Sequence, residues 1–471
     1  MELHVSLVGR NDLAGEIYRQ LRESILDGRL RAGDRLPPSR ELAAGLSVSR
    51  TTVNVAYDRL TSEGFVASRV GAGTFVARYA EPRRNGARRP SGVLQPRAFW
   101  EDVKLPVRLP RAAQFDFRSG IPDAQRFPYQ AWRRLTLREL RAPAVGNGEY
   151  AAPAGHAGLR EAITRHIGIS RGVVATADDV IVTNGTQQAV DIVARVLLAP
   201  GERVAVEDPG YGPPRRLFAT LGAKVAGVPV DAEGLVVDAI PRGTRLVYVT
   251  PSHQYPLGMS MSLARRMALV AWAQRNDAAI VEDDYDSEFR FVGRPIEPLQ
   301  TLDRAGRVIY VGSFSKTMLP TLRIGFIVAP PSICHAVKAA KFLTDWHTAL
   351  PTQAALARFM DEGSFARHVR KMREVYRARH ERIVSGLNRL FAGEFDVVAS
   401  AVGLHVCAVA RTATVDGIAA LVARASAAGV EFHPLAMFAA GARRRAGVVL
   451  GYGAIPTDAI DEGLLRLRTC F

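Results

Sequence analysis

The hexapeptide Gly312-Ser313-Phe314-Ser315-Lys316-Thr317 follows directly on the apolar run RVIYV. A lysine at the mouth of a buried strand, flanked by hydroxyls, has two uses. It can pair with a phosphate as a fixed cation, or its amine can condense with an aldehyde whose phosphate the serines hold. Taken alone the cluster is weak, because lysines after strands are commonplace. Three further strand ends add parts. AAIVEDDYDSEF brings Glu282, Asp283 and Asp284 together beside Tyr285, which suits a carboxylate opposite a protonated ring nitrogen and a phenol opposite a ring hydroxyl. An acidic strand end also suits a metal, but no histidine cluster and no GxxxxGK loop accompany it in the sequence, and no metal is expected. DVIVT runs into Asn184-Gly185-Thr186-Gln187 and the apolar stretch QQAVDIVARVLL, whose helix start offers amide donors to an anion. EDPGYGPP, after RVAVE, presents Tyr211, which can stack on a ring or simply anchor a loop. Arg323 supplies a cation for a phosphate or for a surface ion pair.

These parts need elements to hold them. DVIVT, RVAVE, RLVYVT, AAIVEDD and RVIYVGS are short apolar runs, most of them followed by Gly, Pro or a helical pattern. That alternation predicts an α/β unit with a mostly parallel sheet and helices on both faces. After about residue 332 the pattern turns helix-rich and then returns to short strands, as a smaller C-terminal subdomain does.

The first 77 residues are of another kind. Leu13, Ile17, Leu21 and Ile25 recur at helical spacing after Asp12, an N-cap residue type. Ser39 stands where it can cap the short helix RELAAGL, and Ser49 where it can cap RTTVNVAYDRLTSEG, with Val53, Tyr57 and Leu60 on the inner face. Two short strands follow around RVGAG. Helix, helix-turn-helix and hairpin in this order predict a winged helix over residues 12–77. The start of its third helix reads Ser49-Arg50-Thr51-Thr52; Arg50 can bond a guanine through two nitrogens, and Arg40 is placed for a backbone phosphate. Residues 78–113 are rich in Arg and Pro and lose hydrophobic periodicity, which predicts a basic linker, leaving 114–471 for the α/β unit.

The bulk numbers agree. A chain of 471 residues exceeds one core, and 48% apolar with 23% charged residues is ordinary for a globular protein. The net charge of +16 favours an anionic partner such as nucleic acid. Cys334, Cys407 and Cys470 are far apart and lack metal-ligand spacing, so free thiols in a reducing compartment are expected. No apolar run reaches spanning length and no leader pattern opens the chain, so the expected location is the cytoplasm.

The segment IYRQLRESILDGRLRAGDRLPPSRELAAGLSVSRTTVNVAYDRLTSEGFVASRVGAGTFV resembles the GntR-type winged helix from end to end. The resemblance implies double-stranded DNA as a partner, contacted through Arg40, Ser49, Arg50, Thr51, Thr52 and Gly71. The remainder resembles fold-type I aminotransferases. This implies pyridoxal 5'-phosphate as cofactor, Lys316 as its Schiff-base lysine and Asp283 as the partner of the pyridine nitrogen. It also implies Tyr285 on the ring hydroxyl, Tyr211 stacked on the ring, and Gly185, Thr186, Ser313 and Arg323 on the phosphate. Tyr150 is implied to reach the neighbour's phosphate across a homodimer interface. Joined, the two domains resemble the MocR family of bacterial regulators, as YAAPAGHAGLREAI, VTPSHQYPLG, EDDYDSEFR and GSFSKTMLPTLRIG do in detail. Many aminotransferases carry an asparagine before Pro-x-Gly; this chain has Tyr255 before Pro256-Leu257-Gly258, so His253 and Gln254 enter only as pocket candidates.

One part is missing. Aminotransferases clamp the substrate carboxylate with an arginine two residues before a glycine–aromatic pair, and in GVVLGYG that position is Val449. Arg443, Arg444 and Arg445 in the preceding loop are the candidates to reach in instead. A sensor of a free amino acid needs such a cation, whereas a sensor of the cofactor needs only the cofactor site. The ending LGYGAIPTDAIDEGL is similar to that of vitamin B6-responsive members of the family. The reading is a transcriptional regulator of pyridoxal-phosphate synthesis genes with the cofactor as effector. The alternatives are a regulator sensing an amino acid such as γ-aminobutyrate or taurine, and a working aminotransferase.

Overall fold

The computed structural model describes residues 12–69, 72–77, 96–101, 103, 113–141, 149–293, 296–441 and 444–471. The chain divides into two compact units, Met1–Val103 and Lys104–Phe471.

In the first unit, α1 (Leu13–Leu26), α2 (Ser39–Leu46) and α3 (Arg50–Ser62) precede the antiparallel hairpin of β1 (Val66–Arg69) and β2 (Gly73–Val76). Asp12 caps α1 by accepting from the Gly15 amide at 3.1 Å. The expected helical stripe is the core: Ile17, Leu21, Val53 and Leu60 are fully buried, each contributing about 1.5–3 kcal/mol by leaving water. One expected cap differs. Pro38, with an extended backbone, precedes α2, and Ser39 is its first helical residue with no capping bond. Proline before the turn already fixes the entry of the chain, and the Ser39 hydroxyl instead accepts from Arg50 Nε at 3.4 Å.

The second unit is built on an eight-stranded sheet. Its spatial order is Val180–Thr183, Gly325–Val328, Val308–Ser313, Ala279–Asp284, Thr244–Val249, Arg203–Asp208, Lys224–Asp231 and Gly234–Leu235. The strands from Val308–Ser313 through Lys224–Asp231 are mutually parallel, while Gly325–Val328 runs antiparallel to both neighbours. All five strands expected from apolar runs are present. Lys224–Asp231 and Gly325–Val328 were not among them; the first is mostly exposed or half-buried and carries no continuous apolar run, and the second is a four-residue strand. Helices Pro331–Asp345, Leu350–Asp361 and Ser364–Leu390 lead to a four-stranded antiparallel sheet ordered Phe395–Val397, His405–Ala410, Gly447–Gly451, His433–Pro434. This smaller layer has its own core, including Phe117, Phe289, Phe391 and Tyr452. Among the described residues no helix is long and apolar enough to cross a membrane. Most of the linker expected at 78–113 lies outside the described residues.

Candidate functional site

Parallel strands all release their chains at the same sheet edge, so side chains from the loops after them converge there. A cavity of about 260 Å³ lies at that edge, and Lys316, Asp283, Tyr285, Tyr211, Thr186, Ser313 and Arg323 all line it. Residues far apart in sequence thus meet in one space.

The three clustered acids part company by the alternation of a strand. Glu282 and Asp284 point to one face, where Glu282 accepts from the Leu299 and Gln300 amides and Asp284 pairs with Arg171 at 2.8 Å. Asp283 points to the other face and into the cavity wall. Tyr248, fully buried on the adjacent strand, donates its hydroxyl to Asp283 Oδ2, while Oδ1 is buried without a partner. Burial pushes the Asp283 carboxyl up to about 7.

Lys316 Nζ donates to the Gly120 carbonyl at 2.7 Å, and burial lowers its pKa from the usual lysine value. Ser313 Oγ accepts from the Ser315 amide at 3.1 Å, shaping the turn that carries the lysine. Gly185 is the N-cap of the helix Thr186–Leu197, at φ 82° and with no side chain satisfying the helix's first amides. A Cβ at Gly185 would lie 2.6 Å from Arg323 Nη2, so only glycine lets the guanidinium lie against the helix start. Arg323 itself donates to the Asn184 carbonyl at 2.8 Å. Uncapped amides and a guanidinium side by side make a seat for an anion.

Several candidate residues sit otherwise than expected. Tyr285 lines the cavity, but its hydroxyl lies 3.0 Å from both Nδ1 and the carbonyl oxygen of His253. A ligand hydroxyl there must displace one of those bonds. Gln254 turns away: its amide donates to the Pro209 and Tyr255 carbonyls and its Oε1 accepts from the Leu257 amide, which pins the loop. Tyr150 does not line the cavity; it is exposed and stacked on Trp346 with ring centres 4.3 Å apart. Arg444 and Arg445 are exposed, and Arg443 lies outside the described residues. Val449 is fully buried beside Cys407, Leu257, Leu435 and Phe438 in an apolar nest.

The fold also gathers groups the sequence did not join. His253 Nδ1 lies 3.0 Å from both oxygens of Asp286, and the His405 ring is centred 4.5 Å from that of His253. The three offer ligand atoms within 4.8 Å of one another, a histidine cluster that positions 253 and 405 conceal in the sequence. Burial holds both imidazoles down to about 3 and pushes Asp286 up to about 8. Tyr248 and Ser119 are further support or wall residues without a sequence signal of their own, and Tyr255, noted in the sequence only for its place before Pro256, also lines the cavity.

In the first unit, Arg40, Arg50 and Thr51 are exposed at the helix-turn-helix. Ser49 caps α3 through the Thr52 amide at 3.1 Å, and its hydroxyl lies 2.8 Å from that of Thr52. Those two hydroxyls therefore already serve each other. Gly71 lies outside the described residues.

Two family descriptions match the chain: bacterial regulatory proteins of the gntR family over residues 13–76, and aminotransferase class I and II over residues 113–431. A probable rhizopine catabolism regulatory protein, MocR of Rhizobium meliloti, is 39% identical over 470 residues, covering 97% of this chain and 93% of that protein. This chain belongs to the MocR family of transcriptional regulators. Within that family, the pyridoxine biosynthesis regulator PdxR of Corynebacterium glutamicum is 31% identical, over 94% of this chain and 93% of the relative. The solved kynurenine aminotransferase of Pyrococcus horikoshii, a complex with PMP, superimposes with a TM-score of 0.70 at 28% identity, covering 76% of this chain and 90% of that one. MocR-family architecture accounts for both units: a gntR-type helix-turn-helix and an aminotransferase-type α/β unit in a single chain.

Proposed function

We propose that this MocR-family protein binds pyridoxal phosphate at Lys316 and that its grip on operator DNA responds to the filling of that cavity. Pyridoxal phosphate itself is the first effector in this reading, and the genes for its synthesis are the targets. The observation that carries it is the buried Asp283 Oδ1, left without a partner in the cavity that also holds the Lys316 amine. A buried carboxylate oxygen with nothing to bond is costly unless a cationic or donor group arrives.

The residues fit the cofactor. Asp283 can hold a protonated ring nitrogen, with Tyr248 fixing its other oxygen. Arg323, Ser313 and the Thr186 helix start can hold the phosphate, and Gly185 lets Arg323 lie close. Tyr211 is positioned to cover a ring, its own ring meeting Tyr255 edge-on at 5.5 Å. When bound, pyridoxal phosphate supplies an aldehyde that reacts reversibly with primary amines. A homodimer accompanies this reading, with exposed Tyr150 available to a neighbour's phosphate and two winged helices available to paired half-sites. On DNA, Arg50 reads a base and Arg40 holds a phosphate. The apolar nest around Val449 favours a sensor over a working aminotransferase.

The test is the absorbance spectrum of the purified protein, followed by titration with operator DNA in the presence and absence of pyridoxal phosphate. The expected result is a coloured protein whose operator affinity changes with cofactor. A protein that stays colourless after incubation with pyridoxal phosphate overturns the reading. A coloured protein whose DNA affinity ignores the cofactor overturns its role as effector.

A further inference from the structure

The cofactor reading uses one side of the cavity and leaves the other side unassigned. Among the described residues two fixed cations line it, Lys316 and Arg323, and both belong to the cofactor side. Among the described residues, Arg118 is held by Asp116 at 2.6 Å and Arg171 by Asp284 at 2.8 Å, while Arg215 donates to the Ala439 carbonyl and Arg290 Nη2 to the Ser260 hydroxyl at 3.1 Å; none of the four lines the cavity. Val449 fills the clamp position with an apolar side chain.

What remains on that side is a wall of polar groups that carries no fixed cation among the described residues. Asp286 lines the cavity and shares its carboxyl group with His253. His405 also lines it; its Nε2 faces the Pro256 carbonyl at 3.1 Å and must carry the proton there, which leaves Nδ1 an acceptor. Ser119 and Tyr255 bring hydroxyls 2.7 Å apart to the same wall. A ligand carboxylate pushed against this wall meets a buried acid and an imidazole lone pair, and among the described residues that line it no cation outside the cofactor side offsets its lost hydration. A hydroxyl or an amino group meets bonding partners instead.

Resting on the cofactor reading, we infer that the small molecule accepted beside the cofactor is a primary amine without any acidic group, its tail carrying hydroxyl or amino donors for Asp286 and His405. The free amino acids and sulfonates that a clamp-bearing site takes are disfavoured here.

The full-length, pyridoxal-phosphate-loaded protein is titrated with serinol and putrescine, and with the acids serine and γ-aminobutyrate, reading the cofactor absorbance and operator affinity by fluorescence anisotropy. Serinol or putrescine is expected to half-saturate at a concentration at least about tenfold below that of either acid, since an unpaired buried charge costs more than a factor of ten. Asp286→Asn, whose amide can donate to a carboxylate, is expected to narrow that gap. Serine or γ-aminobutyrate binding as tightly as the acid-free amines overturns the inference, as does a lack of response to all four. That ranking is made on the unaltered protein, so it decides the question even if the variant folds poorly. If the protein takes up no cofactor at all, the failure shows at loading and sinks the underlying reading; a loaded protein that prefers acids sinks only this one.

Discussion

Tyr248 and Asp283 lie on adjacent parallel strands, with Tyr248 opposite Val281, so the phenol reaches two residues along its neighbour to donate to Asp283 Oδ2. The bond fixes which oxygen of the carboxyl group is left for the cavity. Its partner, Oδ1, is the unsatisfied atom on which the cofactor reading stands.

Removing the phenol tests that role. Tyr248→Phe is expected to weaken pyridoxal phosphate binding by about 1.5–3 kcal/mol, the worth of a hydrogen bond to a charged group. Equilibrium dialysis of variant and parent measures it, and equal affinities would show that Asp283 needs no such support.

Lys316→Ala is expected to abolish the protein-bound cofactor band near the visible range while the thermal unfolding of the protein is retained. The amine is partly spent on one carbonyl, Gly120, and its loss leaves no buried donor unpaired. Persistence of the band would mean that another amine holds the cofactor.

The pH dependence of stability has a sign. Asp283 is raised to about 7 when folded, against roughly 3.9 in an unfolded chain, so between these values the folded form keeps a proton the unfolded form releases. Stability from this group is full below about pH 4 and falls as pH rises toward 7. His253 and His405, held down to about 3, act in the opposite sense between about 3 and 6.5. The difference between parent and Asp283→Asn, both free of cofactor, isolates the carboxyl group. The parent is expected to lose denaturant stability relative to the variant from pH 4 to 7, and a flat difference would contradict the assigned burial effect.

Gly185→Ala places a Cβ 2.6 Å from Arg323 Nη2 at a backbone φ of 82°. The guanidinium must retreat from the helix start. Affinity for pyridoxal phosphate is expected to drop at least about tenfold while affinity for phosphate-free pyridoxal changes little. Equal losses for both ligands would assign Arg323 to something other than the phosphate.

On DNA, Arg50→Ala is expected to cost about 1–3 kcal/mol of operator affinity and relax preference at one base pair, while Arg40→Ala lowers the salt slope by about one. Binding measured across a salt series separates the two. An Arg50→Ala protein with full operator affinity removes that residue from base reading.

Much of this was legible in order along the chain. Alternating apolar runs marked five of the eight sheet strands, and the helical stripe Ile17, Leu21 and Ile25 became the core of the first unit. Lys316, Asp283, Tyr211, Tyr285, Thr186 and Ser313 were marked by standing at or just after the end of a strand and Arg323 by following the lysine, and they line a single cavity. Ser39 does not cap its helix as its type suggests, because a proline sets that helix entry through backbone geometry rather than through a side-chain bond.

Sequence by itself determined residue types, the periods of burial and the points where strands end, because these are local properties of neighbouring residues. It also placed a valine, at 449, two residues before the glycine–aromatic pair Gly451-Tyr452. Only the tertiary structure decided which of three consecutive acids faces the cavity, that His405 comes to His253 and Asp286, and that Tyr248 commits one oxygen of Asp283. Those outcomes depend on which strands lie side by side and in what register. Register is set by packing across the whole sheet, and no short window of the chain contains it.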